Sequence, residues 1–113
     1  MNNKILASIL SAFLFGSSMA FAASGKVTIT SPADGAMVDS NSKIMMSYEA
    51  VPGPDGDHLH LYVDGKRVDV INQMKGTTEV SALPPGKHHI CLTVNTKGHM
   101  PTGPEGCVDV TSK

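Results

Sequence analysis

The chain has 113 residues, a formal net charge of −1 and a charged fraction of 17%. That length allows one domain and little more. A near-neutral balance without a basic stripe excludes a phosphate-backbone surface, and with it a nucleic-acid partner.

The first element is a leader. Met1 to Lys4 is short and carries one positive charge, Lys4. Residues 5–16 form an apolar run broken only by Ser8 and Ser11, and Ala20-Phe21-Ala22 supplies small residues at the two positions a signal peptidase reads. Charge, apolar stretch and A-x-A in that order predict a secretory signal peptide over 1–22 and a domain over 23–113. The apolar run falls short of the roughly 20 residues a membrane span needs, and no Cys follows it to take a lipid anchor. A retained N-terminal anchor is the rival reading. Removing Lys4 takes the formal charge from −1 to −2. No later stretch is apolar enough to span a membrane, so none is expected after cleavage. The expected location is periplasmic or secreted.

Beyond the leader the chain reads as all-β. Short runs alternate polar and apolar residues with period 2, and clusters of Gly, Pro, Asp and Asn separate them. Residues 27–30 form the first predicted strand and 43–49 the second. The third, 58–63, and the fourth, 66–71, flank Asp64-Gly65, the strongest hairpin signal present. A type I′ turn needs positive φ at both central residues, which this pair tolerates. Residues 77–83 follow as a fifth strand, Leu83-Pro84-Pro85-Gly86 turns a corner, and 87–95 is a sixth. Residues 95–106 read as a long Gly- and Pro-rich loop before a last strand at 107–111. About seven strands in one small domain predict an immunoglobulin-like or fibronectin-III-like antiparallel β-sandwich. A small closed barrel is the alternative.

Alternation assigns faces. Leu59, Leu61 and Val63 point to the core, which sends His58, His60 and Tyr62 outward. Ile90, Leu92 and Val94 point inward with His88, while His89, Cys91 and Thr93 point out. Val108 and Val110 point inward, leaving Cys107 and Asp109 outside. Cys91 and Cys107 therefore share one outer face on neighbouring strands. Two cysteines in an exported chain predict one disulfide, worth about 3 kcal/mol for a loop of this length. A Cys metal-ligand pair is the competing reading.

Five His stand beside only two Tyr and no Trp, an unusual balance for a packed sandwich. His58-Leu59-His60 is the sharpest local feature. Two His at i and i+2 on a strand project from one face about 7 Å apart at Cα, so both imidazoles can reach one ion. Imidazole suits Cu, Zn and Ni, and thioether selects Cu(I). In the predicted sandwich the third strand lies beside the penultimate one, which would bring His89 to His58 and His60. Three His with an open position is a recognised site composition. His99 and Met100, in the long loop, are secondary candidate ligands. The plainer readings are a solvated His strand and a loop carrying an oxidisable Met. His88 is read as packing under the corner and bonding backbone. Of Met45-Met46 one side chain is read as core, and Met37 and Met74 as gap fillers.

Catalysis has little support: the chain carries no nucleophile elbow, phosphate loop or H-E-x-x-H. Asp55 and Asp64 are explained by turn chemistry.

The segments SPADGAMV, DHLHLYVDG and LPPGKHHICL, with a His-bearing loop before the final strand, resemble a group of small exported bacterial immunoglobulin-like domains. The resemblance spans nearly all of 23–113. It implies a periplasmic sandwich, often encoded near metal or redox proteins, and implies no activity. Members often carry a longer His run than His58-Leu59-His60, and the Cys91/Cys107 pair departs from the simpler ones. The layout is also similar to periplasmic copper-resistance sandwiches, which differ in having His at the mature N-terminus and a denser Met loop. The expectation is a monomeric, non-catalytic metal-binding domain, with copper the favoured ion, on His58, His60, His89, His99 and Met100. The alternative is a metal-free structural or interaction module whose partner is another envelope protein.

Overall fold

Alternating strands become two packed sheets in the computed structural model, which describes residues 25–113. The predicted leader lies outside these residues. Eight strands follow in order: β1 (Lys26–Ser31), β2 (Ala36–Val38), β3 (Ile44–Val51), β4 (His58–Val63), β5 (Lys66–Ile71), β6 (Lys75–Val80), β7 (Gly86–Asn95) and β8 (Pro101–Ser112). One sheet has the order β1-β3-β6 and the other β2-β8-β7-β4-β5. The fold is an all-β sandwich, as alternation predicts. Among the described residues no helix is long and apolar enough to cross a membrane.

β3 shows the pattern most plainly. Ile44, Met46, Tyr48 and Ala50 are buried while Met45 and Val51 are exposed. The core closes when those side chains meet Leu59, Leu61, Ile90, Leu92, Val94, Val108 and Val110 of the second sheet. Each fully buried Leu, Ile or Met contributes about 1.5–3 kcal/mol relative to exposure. The β4–β5 hairpin turns on Asp64 and Gly65 at φ of 53° and 83°, the two positive values that a type I′ turn demands.

Two elements differ from expectation. β2 is three residues long and pairs in parallel with β8, too short for alternation to register and, being parallel, without a hairpin to link it to its partner. β8 starts at Pro101, not at Cys107. Thr93 pairs with Glu105 and Asn95 with Pro101, so the β8 arm carries extra residues at a bulge. The predicted loop thus shrinks to a tight turn at 96–100 joining β7 and β8. That turn folds across the outer face of the second sheet, beside the start of β4.

Candidate metal centre

His58 and His60 leave β4 on the face opposite Leu59 and Leu61, as the period of a strand requires. The expectation of an exposed pair is corrected by the structure. Their relative exposures are 4% and 2%, because the 96–100 turn lies over them.

That turn is held by its own backbone. Thr96 N–H donates to Met100 O at 2.8 Å and His99 N–H to Thr96 O at 2.9 Å. Met100 N–H reaches Thr96 Oγ1 at 3.2 Å. The geometry places His99 at φ 68°, a left-handed conformation that costs a residue with a Cβ roughly 1–3 kcal/mol. It aims the ring at the pair. His58 Nε2 lies 3.0 Å from His60 Nε2 and 3.2 Å from His99 Nδ1. His60 Nε2 lies 3.1 Å from the same Nδ1.

Three nitrogens in a near-equilateral triangle cannot be explained by hydrogen bonds alone. Each nitrogen offers one in-plane direction, either an N–H or a lone pair, so one proton cannot serve two edges. Asp57 removes part of the freedom. His58 Nδ1–H donates to Asp57 Oδ2 at 2.9 Å, which leaves Nε2 as the lone-pair nitrogen. Asp57 N–H in turn donates to Asn95 O at 2.8 Å. A Cβ on the preceding Gly56 would come 2.7 Å from Val94 Cγ1, so glycine lets this loop lie flush on β7. Burial pushes the His60 imidazole below the ordinary His range, and the charges of His58, Arg67 and His99 push the same way. His60 is therefore held as a neutral donor. Its Nδ1 faces Tyr62 Oη at a long 3.4 Å.

A cation fits the triangle. Metal–nitrogen bonds of about 2.0–2.1 Å are longer than the distance from each nitrogen to the triangle's centre, so the three nitrogens could hold one ion together from one side. They form a candidate tripod. A carboxylate on the far nitrogen of a ligating His is the usual orienting partner, and Asp57 stands there for His58.

His89 does not join the tripod, and its predicted convergence on His58 and His60 is not formed. β4 and β7 are neighbours, as expected, but register decides position. Thr93 pairs with His60 and Asn95 with His58, which leaves His89 about 13 Å further along β7 by strand rise. There His89 is exposed and Nδ1–H donates to Asp109 Oδ1 at 2.6 Å. This hydrogen bond raises its pKa, with smaller help from the Asp109, Glu105 and Asp64 charges. Met100 follows His99 in the same turn, and its side chain is 65% exposed. His99, ranked second from sequence, is the third nitrogen. Asp57, directly before His58, was missed as its orienting carboxylate; its position abutting H-x-H was the available signal.

Cys91 and Cys107 form the predicted disulfide, opposite one another on β7 and β8 with a Cα–Cα distance of 4.1 Å. His88 does bond backbone. Its Nε2–H donates to Pro84 O at 2.7 Å and its Nδ1–H to Asp64 Oδ2 at 2.6 Å. Two acceptors on one ring require the doubly protonated imidazolium, so His88 titrates above its ordinary range, driven first by Asp64. Asp64 is correspondingly held low. It is more than a turn residue, since it also accepts the His89 N–H at 2.9 Å.

No family model matches the chain, and no curated protein matches it. Solved structures do match. A fibronectin(III)-like module of Clostridium thermocellum CbhA aligns over 77% of this chain and 95% of its own, at 15% identity and a TM-score of 0.63. A CARDB domain from Pyrococcus furiosus, solved in complex with di-metal ions, aligns over 78% of this chain and 91% of its own. Its identity is 14% and its TM-score 0.55. At these identities the likeness is one of fold.

Proposed function

We propose that this chain is an exported, non-catalytic binding domain that holds one transition-metal ion on His58, His60 and His99. The observation that carries the reading is the triangle of ring nitrogens at 3.0–3.2 Å, two of them on buried side chains. Three imidazoles suit Cu, Zn or Ni, and copper tops the affinity order for such donors. Met100, the residue after His99, carries a thioether, the ligand type that selects Cu(I). A sandwich of this shape does accommodate metal ions, as the P. furiosus CARDB domain does. The predicted leader and the disulfide support export to an oxidising compartment.

The test is calorimetric titration of the oxidised domain with Cu(II), Cu(I) and Zn(II) at neutral pH. One-to-one binding tighter than about 1 μM, near −8 kcal/mol, is expected for the wild type. The double variant His58→Ala, His60→Ala should lose it, and unchanged affinity there would refute the assignment.

A second reading, an interaction module of the cell envelope, draws on β5. This strand ends its sheet and exposes Val68 and Val70, and an open edge can pair with another chain. Envelope pull-downs that persist in the His double variant but fail with charged residues at 68 and 70 would favour it.

A further inference from the structure

The outer face of the second sheet carries another set of ligand atoms, beyond the tripod and independent of it. His89 and Cys91 stand two residues apart on β7, and Asp109 and Cys107 face them on β8. A ring nitrogen of His89 and both sulfurs lie within 4.8 Å of one another. His89 Nδ1–H is committed to Asp109 Oδ1 at 2.6 Å, which leaves Nε2 to supply the lone pair. A depression of about 380 Å³, lined by Tyr62, His89, Cys91, Thr93 and Glu105 among others, opens this cluster to solvent. In the oxidised chain the sulfurs are joined and neither is a thiolate.

We propose that reduction of the Cys91–Cys107 disulfide opens a second metal site, with both thiolates and His89 as ligands and Asp109 as the carboxylate that orients His89. A dithiol is the reductant. One of its thiolates attacks a disulfide sulfur, a mixed disulfide forms, and its second thiol closes onto the first. The reductant leaves as its own disulfide, having given two electrons, and Cys91 and Cys107 are left as thiols. Each thiol releases its proton to solvent when it binds the ion. Thiolate–metal bonds of about 2.3 Å and an imidazole bond of about 2.0–2.1 Å would place ligand atoms some 3.5–3.8 Å apart on a tetrahedral ion. Once the S–S bond is broken, rotation of the two side chains brings the sulfurs to that spacing. Two thiolates make the site far softer than the tripod, so it takes Zn(II) or Cu(I). The disulfide is thereby a redox gate as well as a staple.

Co(II) is the probe, because thiolate ligation gives a near-ultraviolet charge-transfer band that imidazole ligation does not. The host is the His58→Ala, His60→Ala chain, which silences the tripod. After dithiothreitol treatment and its removal under anaerobic conditions, one equivalent of Co(II) should produce the band, and Zn(II) should bleach it. The oxidised chain should show none. His89→Ala should weaken binding at least tenfold. Asp109→Asn should weaken it by about 10- to 100-fold, the usual effect of losing an orienting partner. Absence of the band after reduction overturns the proposal, as does an affinity indifferent to His89→Ala, which would mean unstructured thiol binding. Loss of the far-ultraviolet β-sheet signal on reduction overturns it too, since the site needs the paired β7 and β8 strands.

Discussion

Metal addition should raise the melting temperature steeply, and His99 should control the effect. The tripod draws on residues 39 and 41 positions apart in sequence, so an unfolded chain offers no ready-made site. Ligand that binds only the native state stabilises it by RT ln(1 + [L]/Kd), about 2.7 kcal/mol at one hundred times Kd. In a domain of this size each kcal/mol moves Tm by roughly 4–8 °C, which predicts a rise of roughly 11–22 °C. The assay is a circular-dichroism melt of the oxidised chain in increasing Cu(II) or Zn(II). His99→Ala leaves two buried imidazoles and no third vertex, and its metal-induced shift should fall to a few degrees. An equal shift in wild type and variant would refute the reasoning, because the ion would then be bound elsewhere. A fall in Tm with metal would do the same, by showing preference for the unfolded chain.

Asp57→Asn should weaken metal binding by about 10- to 100-fold in the same titrations, since it removes the carboxylate that fixes the His58 tautomer; Tyr62→Phe should matter less, because its contact with His60 is 3.4 Å long. His99→Gly should melt higher than His99→Ala by an amount near 1 kcal/mol, read in metal-free urea titrations, because glycine takes φ 68° without a Cβ penalty. The His88–Asp64 pair predicts a pH window. His88 titrates high, so its contribution is complete below the unfolded value near 6.5 and is lost as pH rises through the folded value; Asp64 titrates low, so its contribution is complete above about 3.8 and is lost as pH falls further. Raising pH from about 6 to about 9 should therefore cost wild type about 1 kcal/mol, discounted for the half-exposed Asp64, in chemical denaturation. Asp64→Asn, which keeps a residue tolerant of the turn's positive φ, should flatten that slope.

Much of this arrangement was legible in the chain, and what was not has physical reasons. Alternation sees which face a residue takes, so Leu59, Leu61, Ile90 and Leu92 were assigned to the core, and Cys91 and Cys107 to one outer face. The Asp-Gly turn joined β4 to β5 because few residues accept two positive φ values. Alternation does not see position along a face. His89 and His60 share a surface, yet the β4–β7 register sets Thr93 opposite His60. Nor does it see what lies above that surface. Pro101-Thr102-Gly103-Pro104 reads as loop by composition, whereas a bulge lets it begin β8 and bring the 96–100 turn over His58 and His60. Burial of that pair thus follows from a bulge and a turn, neither of which leaves a periodic trace.

The three candidate ligands divide the work in a way that would let one small domain hold an ion without a dedicated cavity. Two imidazoles come from adjacent same-face positions of a strand flanked on both sides, so their spacing is fixed by the pleat before any metal arrives. One is locked further by Asp57 and the other is kept neutral by burial. The third comes from a turn whose backbone is strained to present it. Strain of that kind persists where surrounding bonds overdetermine it, and here Thr96 bonds both His99 and Met100. A preorganised pair would lower the ordering cost of binding, while the exposed loop residue His99 would leave an ion a route in and out. A buried three-strand site would bind by the same chemistry but would trap its ion.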